Sequence, residues 1–426
     1  MKKTYIYLVL ILLSFPLFNL NAQDRNVVWV HGLGEDEGLW EHYETIFTQE
    51  RQMDAHRKSY YTGHGIENAS ARVISSVNYV LGSDATNSQN IAIGHSMGGL
   101  IIRDIDREES GNEMFGGIIT VNSPNYGAAI ANSIENGSVE SVSLDACNKL
   151  SAGPLNQALP LPWVILGNLT NDVLCNLLID LDPVQDLIGY SEALEDLSVS
   201  STKINEINNY STSTPRISIW SAEDSPSHWH LASSFYSDCE NDTELVDDIN
   251  TARNAYKAYY DYNIGKAIAN SWNPFLSALY FNRAAQWKKG YDWIDDSESI
   301  WNSLIKTTRL EYYTYSYWDY RCIYVWNEFD DGTKQIAPPP DECEWQWVYV
   351  TTTSTVSVSY PSDGLLPEYT QKLEGIPGGN IYKVTGANHM EVTNMSNSSQ
   401  GDITRTRFDQ IWDRQLGDFF RTNKRD

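Results

Sequence analysis

The pentapeptide Gly94-His95-Ser96-Met97-Gly98 stands between an apolar run, Asn90 to Ile93, and a helical stretch, Gly99 to Arg107. A serine with glycines on either side, placed where a strand becomes a helix, sits on a tight and strained turn that only small neighbours permit. The turn lifts the hydroxyl above the carboxyl end of the strand, and the positive end of the following helix favours negative charge that develops there. Such a turn requires strands that feed helices. Val27 to Val30 and Ile118 to Val121 are further short apolar runs without alternation, spaced by helical stretches. Together they predict an α/β architecture with a mostly parallel, doubly wound sheet covered on both faces.

After Asn122-Ser123-Pro124 the regular pattern stops, which predicts an insertion over about 126–213, read as irregular. Its apolar, proline-marked patch at 155–169 suits either a lid over an acyl pocket or a buried packing segment. The sheet is expected to resume at Arg216 to Trp220. A second insertion follows over about 225–350, helix-like from Glu244 to Ser271 and then dense in Tyr and Trp, with strand character at Leu310 to Trp326 and Trp345 to Val350. Aromatics in such numbers either build core or offer faces for stacking on sugar rings. Ser357 to Tyr360 and Ile381 to Val384 are expected to supply the last strands, and Phe408 to Phe420 a closing helix.

A nucleophilic Ser96 needs a base. His389, in Gly386-Ala387-Asn388-His389, follows the last expected strand, where a loop carries it over the sheet's carboxyl edge. His42, His56, His64 and His95 precede or adjoin the serine and fall outside the order serine, acid, histidine; His228 and His230 suit a surface or lid. Two acids fit as the group that orients His389. Asp363, in Ser362-Asp363-Gly364-Leu365, is preferred because it leaves a strand and enters a turn; Asp224, which leaves another strand, is the rival. Either is also an ordinary turn or helix cap. The amides of Leu33, in His31-Gly32-Leu33-Gly34, and of Met97 are the expected oxyanion donors.

Val30-His31-Gly32, Gly94-His95-Ser96-Met97-Gly98-Gly99, Ser123-Pro124, Ser362-Asp363-Gly364-Leu365 and Asn388-His389-Met390-Glu391-Val392 occur here in the order found in bacterial triacylglycerol lipases and their esterase relatives. The chain resembles that family, of the α/β-hydrolase superfamily, over about 30–125, 200–225 and 355–420. The resemblance implies the α/β-hydrolase fold, a carboxylic-ester hydrolase acting on ester or lipid through an acyl-enzyme, and a triad of Ser96, Asp363 and His389. It also points to a structural calcium ligand at Glu391, but Met395 stands where the family has a further oxygen ligand, so no cofactor is assigned; Asp224 is available to such an ion if it is not the acid. The same residues would serve an acyltransferase or an amide hydrolase, and an inactive hydrolase fold used for binding is the reading of a different class.

Lys2 and Lys3, an apolar run from Tyr5 to Phe18 and Leu20-Asn21-Ala22 have the layout of a cleavable export signal over residues 1–22, leaving 23–426 as the catalytic chain. The expected location is therefore periplasmic or extracellular. A formal net charge of −26 argues against nucleic acid and anionic membrane surfaces as partners, and no later run is long enough for stable membrane insertion. In an oxidising compartment some of the five cysteines are expected to pair. Cys322 with Cys343 is the preferred disulfide and Cys147 with Cys175 the second, which leaves Cys239 free.

Overall fold

A computed structural model describes residues 26–51, 54–86, 90–151, 191–236, 243–324, 343–376, 380–393 and 399–413. The expected export signal, the 155–169 patch, Cys175, Cys239 and Met395 lie outside these residues.

Six strands form the main sheet: β1 (Asn26–Val30), β2 (Asp54–Lys58), β3 (Ile91–His95), β4 (Gly117–Val121), β5 (Arg216–Ala222) and β8 (Ile381–Thr385). Their order is β2-β1-β3-β4-β5-β8, and every neighbouring pair is parallel. The strand period of two divides the apolar side chains between two layers. Val28, Val30, Ala92 and Ile118 pack beneath α2 (Gly65–Leu81) and α3 (Met97–Glu108). Val27, Trp29, Ile91, Ile93, Ile119, Val121, Ile217 and Ile219 face the opposite way, onto α1 (Glu41–Arg51) and α12 (Ser399–Asp413). Both faces are dry, which is why these strands read as continuous apolar runs. β2, Asp-Ala-His-Arg-Lys, gives no such signal because it is an edge strand of charged composition, with Arg57 paired to Glu44.

Two expectations about the insertions are corrected. Residues 126–213 are not irregular where described: α4 (Ala129–Glu135), α5 (Ser138–Ser151), α6 (Ser191–Leu197) and α7 (Thr202–Asn209) occupy them. The short, weakly amphipathic runs lack the long apolar periodicity that announces a helix in sequence. Ser357 to Ser359 does not join the main sheet. It ends β7 (Cys343–Ser359), which pairs antiparallel with β6 (Thr308–Tyr324) along its full length.

The second insertion therefore has two parts. α8 (Ser227–Tyr236), α9 (Glu244–Ala269) and α10 (Pro274–Ile305) bury Trp229, Leu245, Ile249, Tyr256, Trp287 and Trp293 with Ala146 and Leu150 of α5. α10 starts on Pro274 behind an Asn273 cap whose side chain accepts from the Phe275 and Leu276 amides, an arrangement that fixes the α9–α10 hairpin turn. The other part, Thr308–Tyr360, is a separate unit, the two-stranded ribbon. Among the aromatics of this insertion, those on the helices divide between core and surface, whereas Trp318, Tyr320, Trp345, Trp347 and Tyr349 of the ribbon are exposed. Cys322 and Cys343 fall on one face of the ribbon, a diagonal step apart.

Trp29 is the hub of the lower layer. Fully buried, it lies 4.9 Å from the Trp40 ring, 5.0 Å from Phe47 and 6.2 Å from Phe408. Trp29→Ala should cost about 3–5 kcal/mol, because the rings around it cannot collapse into the space it leaves. A urea midpoint shifted by much less would show that the layer repacks.

Candidate active site

β3 ends in Ser96, whose φ of 52° and ψ of −127° lie outside the regions open to an ordinary side chain. Crowding enforces that conformation. A Cβ on Gly98 would stand 2.4 Å from the Val30 carbonyl oxygen, and one on Gly94 would stand 2.4 Å from the Gly98 carbonyl. The first turn of α3 thus lies directly on the end of β1, and the strained serine turn leads into it. The amide of Ser96 donates to the Val121 carbonyl at 3.0 Å, which pins the turn to β4.

Asp363 and His389 come together as buried partners. His389 Nδ1 lies 2.7 Å from Asp363 Oδ2, and the His389 amide donates to the Asp363 carbonyl at 2.8 Å. The other carboxylate oxygen of Asp363 accepts from the amides of Leu365 (2.9 Å) and Leu366 (2.6 Å), the bonds of a turn that aspartate stabilises well. Gly364 within it has φ +87°, and a Cβ there would meet the Ser227 carbonyl at 2.8 Å. Trp301 Nε1 of α10 donates to the Gly364 carbonyl at 2.6 Å. With the carboxylate accepting, the His389 proton resides on Nδ1 and the Nε2 lone pair is left open. Nε2 is buried and has no hydrogen-bond partner among the described residues, Ser96 Oγ included.

The rival acid Asp224 is exposed, and its amide donates to Glu223 Oε1 at 2.6 Å. Met97 is buried at the start of α3, Leu33 is half-buried, and neither amide carries a hydrogen bond among the described residues. Glu391 is buried; its carboxylate accepts from the Asn388 amide at 3.2 Å and braces the histidine loop. Among the described residues no three His, Cys, Asp or Glu side chains converge to hold a metal. His228 and His230 belong to α8. His228 is buried, its Nε2 lies 2.9 Å from Ser297 Oγ, and burial with His230 beside it pushes its pKa down to about 3.

Sequence reasoning missed Glu35. Its carboxylate accepts from the Gly32 amide, lies 3.0 Å from His95 Nδ1, and stands against Ser96: a Cβ on Gly32 would be 2.7 Å from Glu35 Oε2 and 2.8 Å from Ser96 Cβ. The other ring nitrogen, His95 Nε2, lies 2.9 Å from the His389 carbonyl oxygen. A carboxylate on one nitrogen and a carbonyl on the other require both to donate, so His95 is an imidazolium paired with Glu35. Burial alone would discharge both groups, but each holds the other charged: Glu35 lies below its ordinary value and His95 above it. The only trace in the sequence was an acidic run, Glu35-Asp36-Glu37, beside a glycine loop. Nearby, burial lowers the pKa of His31, whose ring stacks 4.1 Å from Tyr60.

A six-stranded parallel sheet with this serine turn between β3 and α3, and a histidine and aspartate on the loops after β8 and before α11 (Glu368–Gln371), is the α/β-hydrolase architecture. No family model matches the chain, and no curated protein does. Solved structures are similar to it in part. An extracellular α/β-hydrolase from a Paenibacillus species is 16% identical over 46% of this chain and 77% of its own, with a TM-score of 0.27. A Bacillus licheniformis lipase in its mature form is 14% identical over 51% and 75%, with a TM-score of 0.32. A thermophilic esterase from Thermogutta terrifontis is 14% identical over 47% and 72%, with a TM-score of 0.29. Likenesses this partial add nothing about chemistry, and the fold rests on the strand order and the serine turn.

The Glu35–His95 pair makes stability depend on pH in a defined sense. Glu35, lowered from 4.5, contributes fully above that value and loses its contribution as pH falls through its folded pKa. His95, raised from 6.5, contributes fully below that value and loses its contribution as pH rises through its folded pKa. The stability gap between the native chain and Glu35→Ala should therefore be widest between 4.5 and 6.5 and narrow on both sides, reaching about 3–5 kcal/mol at its widest. Urea melts across pH 3–9 measure it; a flat gap would mean that the two groups are not ionised together.

Proposed function

We propose that the chain is an exported serine carboxylic-ester hydrolase. The observation that carries the reading is the state of His389: Nδ1 held by Asp363, Nε2 buried with its lone pair open, and the ring packed 4.8 Å from that of His95, the residue before Ser96. His389 Nε2 takes the Ser96 proton as Oγ bonds to the ester carbonyl carbon. The carbonyl oxygen becomes an oxyanion facing the unengaged Leu33 and Met97 amides, with the positive end of α3 behind it. Collapse expels the alcohol, which leaves with the proton from His389. Water, deprotonated by the same nitrogen, then attacks the acyl-enzyme and releases the acid and Ser96. The Glu35 carboxylate alone would oppose an oxyanion so near, and the imidazolium of His95 cancels it.

The leader at residues 1–22 supports export, and the placement of Cys322 and Cys343 on one face of the ribbon supports their pairing there.

Hydrolysis of p-nitrophenyl esters and labelling by a fluorophosphonate test the reading. Ser96→Ala should abolish labelling and lower kcat by about a million-fold. Asp363→Asn should lower kcat by about ten-thousand-fold, since an amide holds the imidazole in the wrong tautomer, while Asp224→Asn stays near the native rate. Labelling that survives Ser96→Ala, or a reversal of the two aspartate effects, overturns the assignment.

A further inference from the structure

We propose that the tip of the α9–α10 hairpin is a docking surface for an anionic lipid surface. The tip is apolar and bare: Trp272 is 77% exposed, Phe275 87% and Ile268 64%, with Leu276 and Leu279 exposed beside them. Contiguous large apolar side chains on a soluble protein mark a contact site, because leaving them in water is costly. Two features identify the occupant as a lipid surface.

The first is charge. In a chain with 56 acidic and 30 basic residues, the stretch 262–291 contains no aspartate or glutamate but holds Lys266, Arg283, Lys288 and Lys289. Lys288 is paired with Asp292, whereas Lys266 and Arg283 rest over the rings of Tyr262 (5.5 Å) and Tyr280 (5.9 Å) and have no carboxylate partner among the described residues. The stretch around the hairpin tip thus carries cations and no carboxylate of its own, on an acidic protein. The charge argument against anionic membranes holds for the chain as a whole and fails here.

The second is depth. Phe275, Leu279 and Arg283 are four residues apart, one stripe of α10. Arg283 therefore lies two turns, about 12 Å, behind Phe275. That spacing sets an apolar end below the headgroups and a cation with its tyrosine at their level, the order in which side chains meet a membrane interface. The hairpin turn is rigid, closed by the Asn273 cap and by Ser277 Oγ on the Ala267 carbonyl at 3.0 Å. The tip enters only the boundary layer, since no described helix is long and apolar enough to cross a membrane.

The inference is independent of the reaction assigned to Ser96, and its test avoids hydrolysis. Full-length chain carrying Ser96→Ala is mixed with vesicles of phosphatidylcholine alone or with phosphatidylglycerol added. Binding is read by co-sedimentation, and its location by hydrogen–deuterium exchange. Phosphatidylglycerol should raise partitioning, salt should lower it, and protection should appear over 262–283. Phe275→Ser with Trp272→Ser, and separately Lys266→Glu with Arg283→Glu, should each lower partitioning on the order of tenfold with the melting temperature unchanged. Protection elsewhere, or equal partitioning of both double variants and the parent, overturns the proposal. So does a concentration-dependent dimer that Phe275→Ser dissolves without any vesicle binding, which would make the tip a contact between two copies of the chain.

Discussion

Everything around Ser96 depends on how closely the first turn of α3 lies on the end of β1. With no side chain at Gly98 the two backbones meet, and the chain leaves β3 through the strained serine. The same contact brings the His31–Gly34 loop beside Ser96, where a Cβ on Gly32 would stand 2.8 Å from the serine Cβ. The two layers of apolar side chains hold that geometry from below, and the strain of one residue is small against the burial that opposes its release.

The buried ion pair of Glu35 and His95 is the second link. It runs from the Gly32 amide through a carboxylate and an imidazolium to the His389 carbonyl, and so fastens the loop after β1, the residue before the serine and the histidine loop to one another. Asn388 continues the chain outward, donating to Ser234 of α8 at 2.7 Å. Gln371 fastens the other side, donating to the Leu366 carbonyl at 2.7 Å and accepting from the Ser221 amide of β5 at 3.1 Å. Such buried polar groups add little net stability, but any misplacement leaves one unsatisfied, so they define a single arrangement.

Much of this was legible because it is local. The serine turn, the strand runs and the Asp363 and Asn388-His389 segments each carry their signal within a few residues, and five of the six sheet strands were expected from the sequence, three of them as apolar runs without alternation. What was not legible depends on partners remote in the chain. β2 is charged and becomes a strand only because β1 offers it an edge. Ser357 to Ser359 looks like any β-branched and hydroxyl run, and only β6 decides which sheet it joins. Glu35 and His95 are 60 residues apart, and nothing in either segment announces the other. His95 was set aside as base on its position; its role is to carry a charge and stay protonated.

The ribbon of β6 and β7 has a mechanical consequence. Each strand has 17 residues, so the pair extends about 56 Å, yet among the described residues of its unit it has no third strand and no covering helix. A two-stranded ribbon twists more strongly than a wide sheet and gains little from each hydrogen bond exposed to water. Its stiffness must come from side chains across the strands: Trp318 against Tyr349 at 5.1 Å, Tyr320 against Trp345 and Trp347 at 5.6 and 5.1 Å, and Ser316 bonded to Thr351 at 2.9 Å. The rings gather toward the far end, and the span from Tyr312 to Ser316 faces only threonines and serines. The cross-strand support therefore changes character along the described ribbon, from hydroxyl pairs at Thr314–Thr353 and Ser316–Thr351 to ring pairs from Trp318 onward, so that resistance to twisting is carried by hydrogen bonds in one stretch and by ring contacts in the next.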